Sequence, residues 1–111
     1  MDGGIELTHP DLAASLWTNY VELNGVVGVD DDSNGYVDDV HGYSFVNGSA
    51  NIVPHYHGTH VAGTVAAVNN NGIGVSGVAG GSGAKPGVKI MSCAVFEDSG
   101  GLPVICWALP R

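Results

Sequence analysis

Positive charge is scarce in this sequence, where Lys and Arg together number 3 against 11 Asp and Glu, and the formal net charge is −8. Proteins that bind nucleic acid or anionic membrane surfaces present a basic face to the phosphates, and 3 basic side chains are too few to form one. The composition therefore argues against both kinds of partner. Acidic residues gathered in one segment instead favour the binding of a cation.

Cysteine is also rare, and no apolar run reaches the length of a membrane span. The two cysteines, Cys93 and Cys106, can pair in principle, but two thiols do not make a disulfide framework, so they leave the redox compartment open. The segment Met1–Gly4 lacks the basic and then apolar start of a signal peptide. We therefore expect neither a membrane-spanning segment nor a signal peptide in this chain.

Charged residues of either sign make up only 13% of the 111 residues, whereas glycine numbers 18. Such a composition is typical of tightly packed turns and buried strands, and the length allows one small domain. A strand ending at Asp2 is expected to turn sharply at the two glycines that follow it. A short helix is predicted over 11–17, with Leu12 and Leu16 together on its apolar face. Strands are predicted over 42–46 and 88–96, the last apolar enough for a parallel sheet covered on both faces.

The most distinctive stretch is His57–Thr64, which reads HGTHVAGT and continues into further alanine and valine. Side chains this small predict a helix that packs closely against other backbone near the centre of a larger fold. The histidine at its start lies among unpaired backbone amides, where its ring can be held in one orientation. Because histidine moves protons near neutral pH, we expect the chemistry of the protein here.

Three interpretations of the neighbouring histidines follow from their spacing. His55, His57 and His60 could be zinc ligands, although no Glu lies between the last two to act as a base. They could be structural, as most histidines are. One of them could be a general base that works with an acid and a nucleophile elsewhere.

The most acidic stretch, Asp30–Asp39, holds five aspartates that repel each other unless a cation lies among them. Its first half matches an EF-hand calcium loop, but His41 stands where that loop has a bidentate Glu. We expect an oxygen cage without flanking EF-hand helices, formed by Asp30, Asp32, Asn34, the carbonyl of Tyr36, and one of Asp38 or Asp39. The alternative is a solvated acidic loop.

Two of these motifs together resemble the subtilisin-like serine proteases. The segment Asp2–Ile5 with Thr8–Leu12, followed by His57–Thr64, has the acid before the histidine, as in that family, and the similarity extends to about Gly100. The resemblance implies an α/β fold, of which this chain is an incomplete part of the parallel-sheet, three-layer arrangement. Residues 1–101 would be the N-terminal portion of the peptidase domain, and residues 102–111 a divergent tail.

The resemblance also implies roles for particular residues. Asp2 would be the acid of the triad, His57 its general base and His60 a buried structural histidine. Gly3 stands where the family usually has Thr or Ser, which predicts a looser turn after the acid. The segment Ser99-Gly100-Gly101 would pair an extended polypeptide substrate by strand addition.

The nucleophile of the family lies in a Gly-Thr-Ser-Met-Ala type of motif, which this sequence does not contain. We therefore expect a form of a secreted serine endopeptidase that lacks its serine, is inactive alone and needs a complementary segment to fold. The family also binds Ca²⁺. The resemblance implies a site formed by Asp11, the side chain of Asn71 and the carbonyls of Ile73 and Val75. The alternative function is a non-catalytic calcium-binding module.

Overall fold

The computed structural model describes residues 1–96. They form two helices, α1 (Tyr20–Leu23) and α2 (Tyr56–Ala66), two strands, β1 (Gly42–Ser44) and β2 (Ser92–Ala94), and a single 3-10 turn at Ala13–Ser15. Within this part of the chain, no helix has both the length and the apolar character that crossing a membrane demands.

The sheet is parallel, as the sequence predicts. β1 and β2 pair in parallel along their whole length. On the opposite edge of β2, the backbone N–H of Asp2 donates to the carbonyl of Cys93 at 3.3 Å, and the N–H of Val95 donates to the carbonyl of Asp2 at 2.8 Å. β2 therefore lies between β1 and the segment that carries Asp2, which confirms the α/β class.

Helix α2 lies in the connection between β1 and β2, where parallel pairing requires a crossover. Its buried residues are small ones, Gly58, Ala62, Gly63 and Ala66. A Cβ at Gly58 would clash with the carbonyl oxygen of Gly3, so the helix packs directly on the backbone beside Asp2. This close approach is what the run of small residues predicts.

The other face of α2 is open in the described part of the chain, because Val61 and Val65 remain 41% and 43% exposed. The apolar core on the covered face is small and consists of Ile5, Leu12, Ala62 and Ala67, with Ile90 packed against it. The helix is thus anchored on the side that faces Asp2.

The predicted helix over 11–17 is wrong, because only the 3-10 turn forms there. The chain leaves the helical path to pair with another segment. The N–H of Trp17 donates to the carbonyl of Ile90, and the N–H of Ile90 donates to the carbonyl of Ser15, both at 2.8 Å. Leu12 and Leu16 are nevertheless buried together with this turn, as their spacing predicts.

The strands are also shorter than predicted, and the polar segment before the acidic loop contains α1, which the sequence analysis missed. Asn19 caps this helix, its side chain accepting a hydrogen bond from the N–H of Val21 at 3.2 Å. A single helical turn leaves almost no hydrophobic periodicity in the sequence, so only the cap residue could have indicated it.

Candidate functional site

Asp2 and His57 are 55 positions apart in sequence and meet at the start of α2. The pairing of Asp2 with β2 positions its carboxylate, and the first turn of α2 positions the imidazole. The Nδ1 atom of His57 lies 2.8 Å from Oδ1 and 2.9 Å from Oδ2 of Asp2. The histidine side chain is 54% exposed and the carboxylate 21% exposed, so the pair lies at the surface of residues 1–96 with the acid on the inner side.

Asp2 is held in its ionised form. Partial burial opposes the charge, but the hydrogen bond from His57 and one from the N–H of Gly3, at 2.6 Å, outweigh it and lower the pKa of Asp2 below its ordinary value of 3.8. An ionised carboxylate accepts a hydrogen bond from Nδ1–H, which keeps the proton on Nδ1 and leaves Nε2 as the nitrogen able to accept a proton. No side chain or backbone donor within residues 1–96 hydrogen-bonds to Nε2.

The lowered pKa predicts a pH dependence of stability. A carboxyl whose pKa is lower in the folded state stabilises that state above its unfolded pKa and loses the contribution as the pH falls through the folded value. The difference in free energy of unfolding between the wild type and Asp2→Asn should therefore be largest above pH 4 and should shrink below about pH 3.8. Urea unfolding across pH 2.5–6 measures it. A difference that grew as the pH fell would contradict the prediction.

The structure does not bring the three histidines into a metal site. The rings of His55 and His57 have their centroids 6.5 Å apart, and Nδ1 of His57 is occupied by Asp2. The prediction that His60 is buried is wrong for this part of the chain, because His60 lies exposed on a face of α2 that residues 1–96 leave uncovered. In the same part of the chain, the one group of ligand side chains close enough to hold an ion is acidic.

That group comprises Glu22, Asp30 and Asp32, and one carboxylate oxygen from each lies within 4.8 Å of the other two. Asp30 is held by the turn that the sequence predicts, because its oxygens accept from the N–H groups of Asn34 at 3.0 Å and Gly35 at 2.8 Å. Glu22 comes from α1 and was missed by sequence reasoning. It supplies the acidic side chain that the EF-hand pattern lacks, but from the segment before the loop.

Further polar side chains surround the group. The Nδ2 of Asn19 donates to Asp32 at 2.8 Å and to Asp39 at 2.9 Å, and the Nδ2 of Asn34 donates to Asp39 at 3.0 Å. Burial raises the pKa of Asp39, and the nearby charges of Asp32 and Glu22 act in the same direction, against these hydrogen bonds. The hydrogen bond from Asn19, in contrast, lowers the pKa of Asp32.

The donor set fits a calcium ion. It consists of carboxylate oxygens, which calcium prefers, and the sequence has no Lys or Arg before Lys85 to neutralise the loop. Two predicted ligands, Asp38 and Tyr36, are not in the group of Glu22, Asp30 and Asp32. The carboxylate of Asp38 accepts from the N–H of Gly28 at 2.8 Å, and the backbone N–H of Tyr36 donates to the side chain of Asn34 at 2.8 Å.

The structure brings the residues of the second predicted calcium site together around Asp11, which is 2% exposed. The Nδ2 of Asn71 donates to its Oδ1 at 2.7 Å and the N–H of Val75 donates to its Oδ2 at 2.8 Å, and together they lower its pKa. Ile73 lies beside them, its N–H donating to the Asn71 side chain at 3.3 Å. The contacts around Asp11 are thus hydrogen bonds from N–H groups, and the calcium site at these residues stays a prediction.

The structure describes Ser92 but not the predicted substrate-pairing segment. Ser92 is 1% exposed within β2, and its Oγ accepts from the N–H of Ile5 at 3.4 Å, so it is a structural residue of the sheet. The predicted substrate-pairing segment Ser99-Gly100-Gly101 lies outside the described residues.

Comparison with known proteins identifies the family. Subtilisin-like protease 1 of Plasmodium vivax is 55% identical over 99 residues, which cover 88% of this chain and 15% of the relative. Fervidolysin of Fervidobacterium pennivorans is 35% identical over 98 residues (88% of this chain, 11% of the relative), and thermitase of Thermoactinomyces vulgaris is 33% identical over 100 residues (90% and 26%). The chain thus spans between a tenth and about a quarter of these relatives, and the model of the subtilase family matches residues 1–105. The chain belongs to the subtilase family.

Proposed function

We propose that this chain supplies the acid and the general base of a subtilisin-like serine endopeptidase, with Asp2 and His57 in those roles. The observation that carries the proposal is the contact of 2.8 Å between Nδ1 of His57 and the carboxylate of Asp2, across 55 residues of sequence. The test is a chimera in which the 99 matching residues of the Plasmodium vivax relative are replaced by those of this chain, with substitutions at Asp2 and His57.

The chemistry follows from the geometry of the pair. Ionised Asp2 keeps the proton on Nδ1 and stabilises the imidazolium that forms when Nε2 takes the proton of a serine hydroxyl. The serine oxygen then bonds to the carbonyl carbon of the substrate, and His57 returns the proton to the leaving amine as the peptide bond breaks. The exposed imidazole gives a serine from another segment access to Nε2.

We propose polypeptides as the substrates and an environment outside the cell as the place of action, both on the strength of the family. The serine must come from a segment other than residues 1–111, since these contain no Gly-Thr-Ser-Met-Ala type of motif and Ser92 is buried in the sheet. The chain by itself is then inactive, and a complementary segment would cover the open face of α2.

Calcium binding is a second function that the structure favours, either in support of the first or alone. The close grouping of Glu22, Asp30 and Asp32, with no basic side chain in the sequence around them, carries this proposal. When bound, the ion supplies the positive charge that relieves the repulsion among the carboxylates. The chain's residues contribute a loop already closed by hydrogen bonds to Asp30 and Glu22.

Calcium should stabilise the folded chain, because an ion that binds only the folded state shifts the unfolding equilibrium. At about 100 times the dissociation constant the gain is about 2.7 kcal/mol, which raises Tm by on the order of 10 °C in a small domain. Glu22→Gln with Asp30→Asn should abolish most of this rise, whereas Asp31→Asn should keep it, because Asp31 hydrogen-bonds to the N–H of Val26 instead. Calorimetry with chelated and calcium-loaded protein measures the effect, and no heat and no rise in Tm at millimolar calcium would remove this function.

A further inference from the structure

The residue two positions before the predicted base has an unusual set of contacts. His55 is the N-cap of α2, and its Nδ1 accepts a hydrogen bond from the backbone N–H of His57 at 3.1 Å. Helix caps are ordinarily Ser, Thr, Asp or Asn, whose short side chains reach the same amide. An imidazole in this position adds a ring that can pack against neighbouring side chains. Its Nδ1 atom can accept the hydrogen bond only while it carries no proton.

The ring of His55 is held on three sides. It stacks on Tyr56, with centroids 4.8 Å apart and an interplanar angle of 25°, and meets Phe96 edge to face at 5.7 Å. On its third side lies Gly3, where an added Cβ would be 2.7 Å from both Cβ and Cγ of His55. The Thr or Ser usual in the family at position 3 would therefore displace the ring.

The backbone of His55 is tied to the same segment as the acid. Its N–H donates to the carbonyl of Gly4 at 2.9 Å, and its carbonyl accepts from the N–H of Thr59 at 3.0 Å. One residue thus links the strand that carries Asp2 to the first turn of the helix that carries His57. Glycine at position 3, where the family usually has Thr or Ser, leaves the space that the imidazole cap at His55 occupies.

We propose that His55 is a positioning residue for the pair Asp2–His57, and that Gly3 is the partner whose small size lets the His55 ring take this position. By accepting from the N–H of His57, the Nδ1 atom of His55 fixes the first turn of α2. This first turn then holds the His57 imidazole against Asp2. This inference rests on the proposed function for its consequence in catalysis, but the contacts that carry it can be tested without activity.

The test is nuclear magnetic resonance on the full 111-residue chain with labelled histidine. The Nδ1 proton shared by His57 and Asp2 should give a strongly downfield signal, which Asp2→Asn removes. His55→Phe keeps the ring but has no acceptor, and should lose or broaden this signal and speed exchange of the His57 amide by roughly five-fold, the factor that corresponds to a lost cap. His55→Asn restores an acceptor without the ring and should keep the signal.

The size of Gly3 is tested separately. Gly3→Ala should lose the downfield signal because its methyl group overlaps the near end of the His55 side chain. The double variant Gly3→Ala/His55→Gly should recover native dispersion of the amide spectrum, because glycine removes the overlapping atoms and is tolerated at an N-cap. An unchanged spectrum for Gly3→Ala would overturn the part assigned to Gly3.

Other outcomes separate the two proposals. A signal that survives in His55→Phe but is lost in Asp2→Asn would overturn the positioning role and leave the predicted acid and base intact. Loss of the signal in both His55→Phe and His55→Asn would overturn the claim that an acceptor at position 55 suffices, because the ring would then be needed as well. A wild-type chain that shows the dispersed amide spectrum of a folded protein but lacks the signal would overturn both the Asp2–His57 pair and the role of His55. If His55→Phe does not fold, the retained signal of His55→Asn and the paired Gly3 variants decide the question.

Discussion

In the chimera, His57→Ala should lower kcat by a factor of about 10⁶ and Asp2→Asn by about 10⁴, values that are taken from the corresponding losses in subtilisin, which belongs to the same family, and in other serine proteases. The imidazole loss is larger because nothing else can take the serine proton. The amide at position 2 keeps the shape of the carboxylate, but it offers a donor to Nδ1 and so favours the wrong tautomer.

Both losses should appear in kcat with little change in KM, because the two groups act on the transition state and do not hold the substrate. Glu6→Gln is the matched control for Asp2→Asn, since Glu6 is an exposed acid in the same segment and has no contact with His57 among the described residues. Steady-state hydrolysis of a fluorogenic peptide gives the rates. A loss of less than ten-fold for His57→Ala would overturn the assignment of the base.

The isolated chain should not react with a serine-directed fluorophosphonate. Such a reagent needs an activated hydroxyl, and Ser92 in β2 is buried and hydrogen-bonded to the backbone of Ile5. Without the nucleophile, turnover should fall by on the order of 10⁶ relative to a complete family member, as it does in subtilisin.

Intact mass spectrometry after incubation with the reagent measures this prediction, with the chimera as a positive control that should be labelled at one site. The labelled fraction of the isolated chain should equal that of its His57→Ala variant. Stoichiometric labelling that depends on His57 would contradict the prediction and would show a reactive serine within these 111 residues.

The membership of the family could be predicted from local patterns. The run of small residues in α2 and the order of acid before histidine depend only on side-chain size and spacing, and both the family and the parallel α/β class are confirmed. The Asp30 turn is likewise local, because an aspartate that accepts from backbone N–H groups four and five residues later needs no distant partner.

Other features required partners that spacing does not reveal. Glu22 joins Asp30 and Asp32 only because backbone N–H groups of the loop donate to its carboxylate. The α-helix predicted over 11–17 gives way to pairing with Ile90. Hydrophobic periodicity reports which face of a segment is buried, and Leu12 and Leu16 are buried as predicted. It does not report whether a distant strand will compete for the backbone hydrogen bonds.

The sequence by itself therefore determined the chemical groups of this protein: an acid, an imidazole at the head of a helix of small residues, and a loop of carboxylates in need of a cation. The tertiary structure decided which of these groups meet. It brought Asp2 within 2.8 Å of His57, placed Glu22 beside the aspartates of the acidic loop and packed His55 against Gly3. The physical reason is that residue type and spacing act along the chain, whereas these contacts depend on the packing of segments far apart in it.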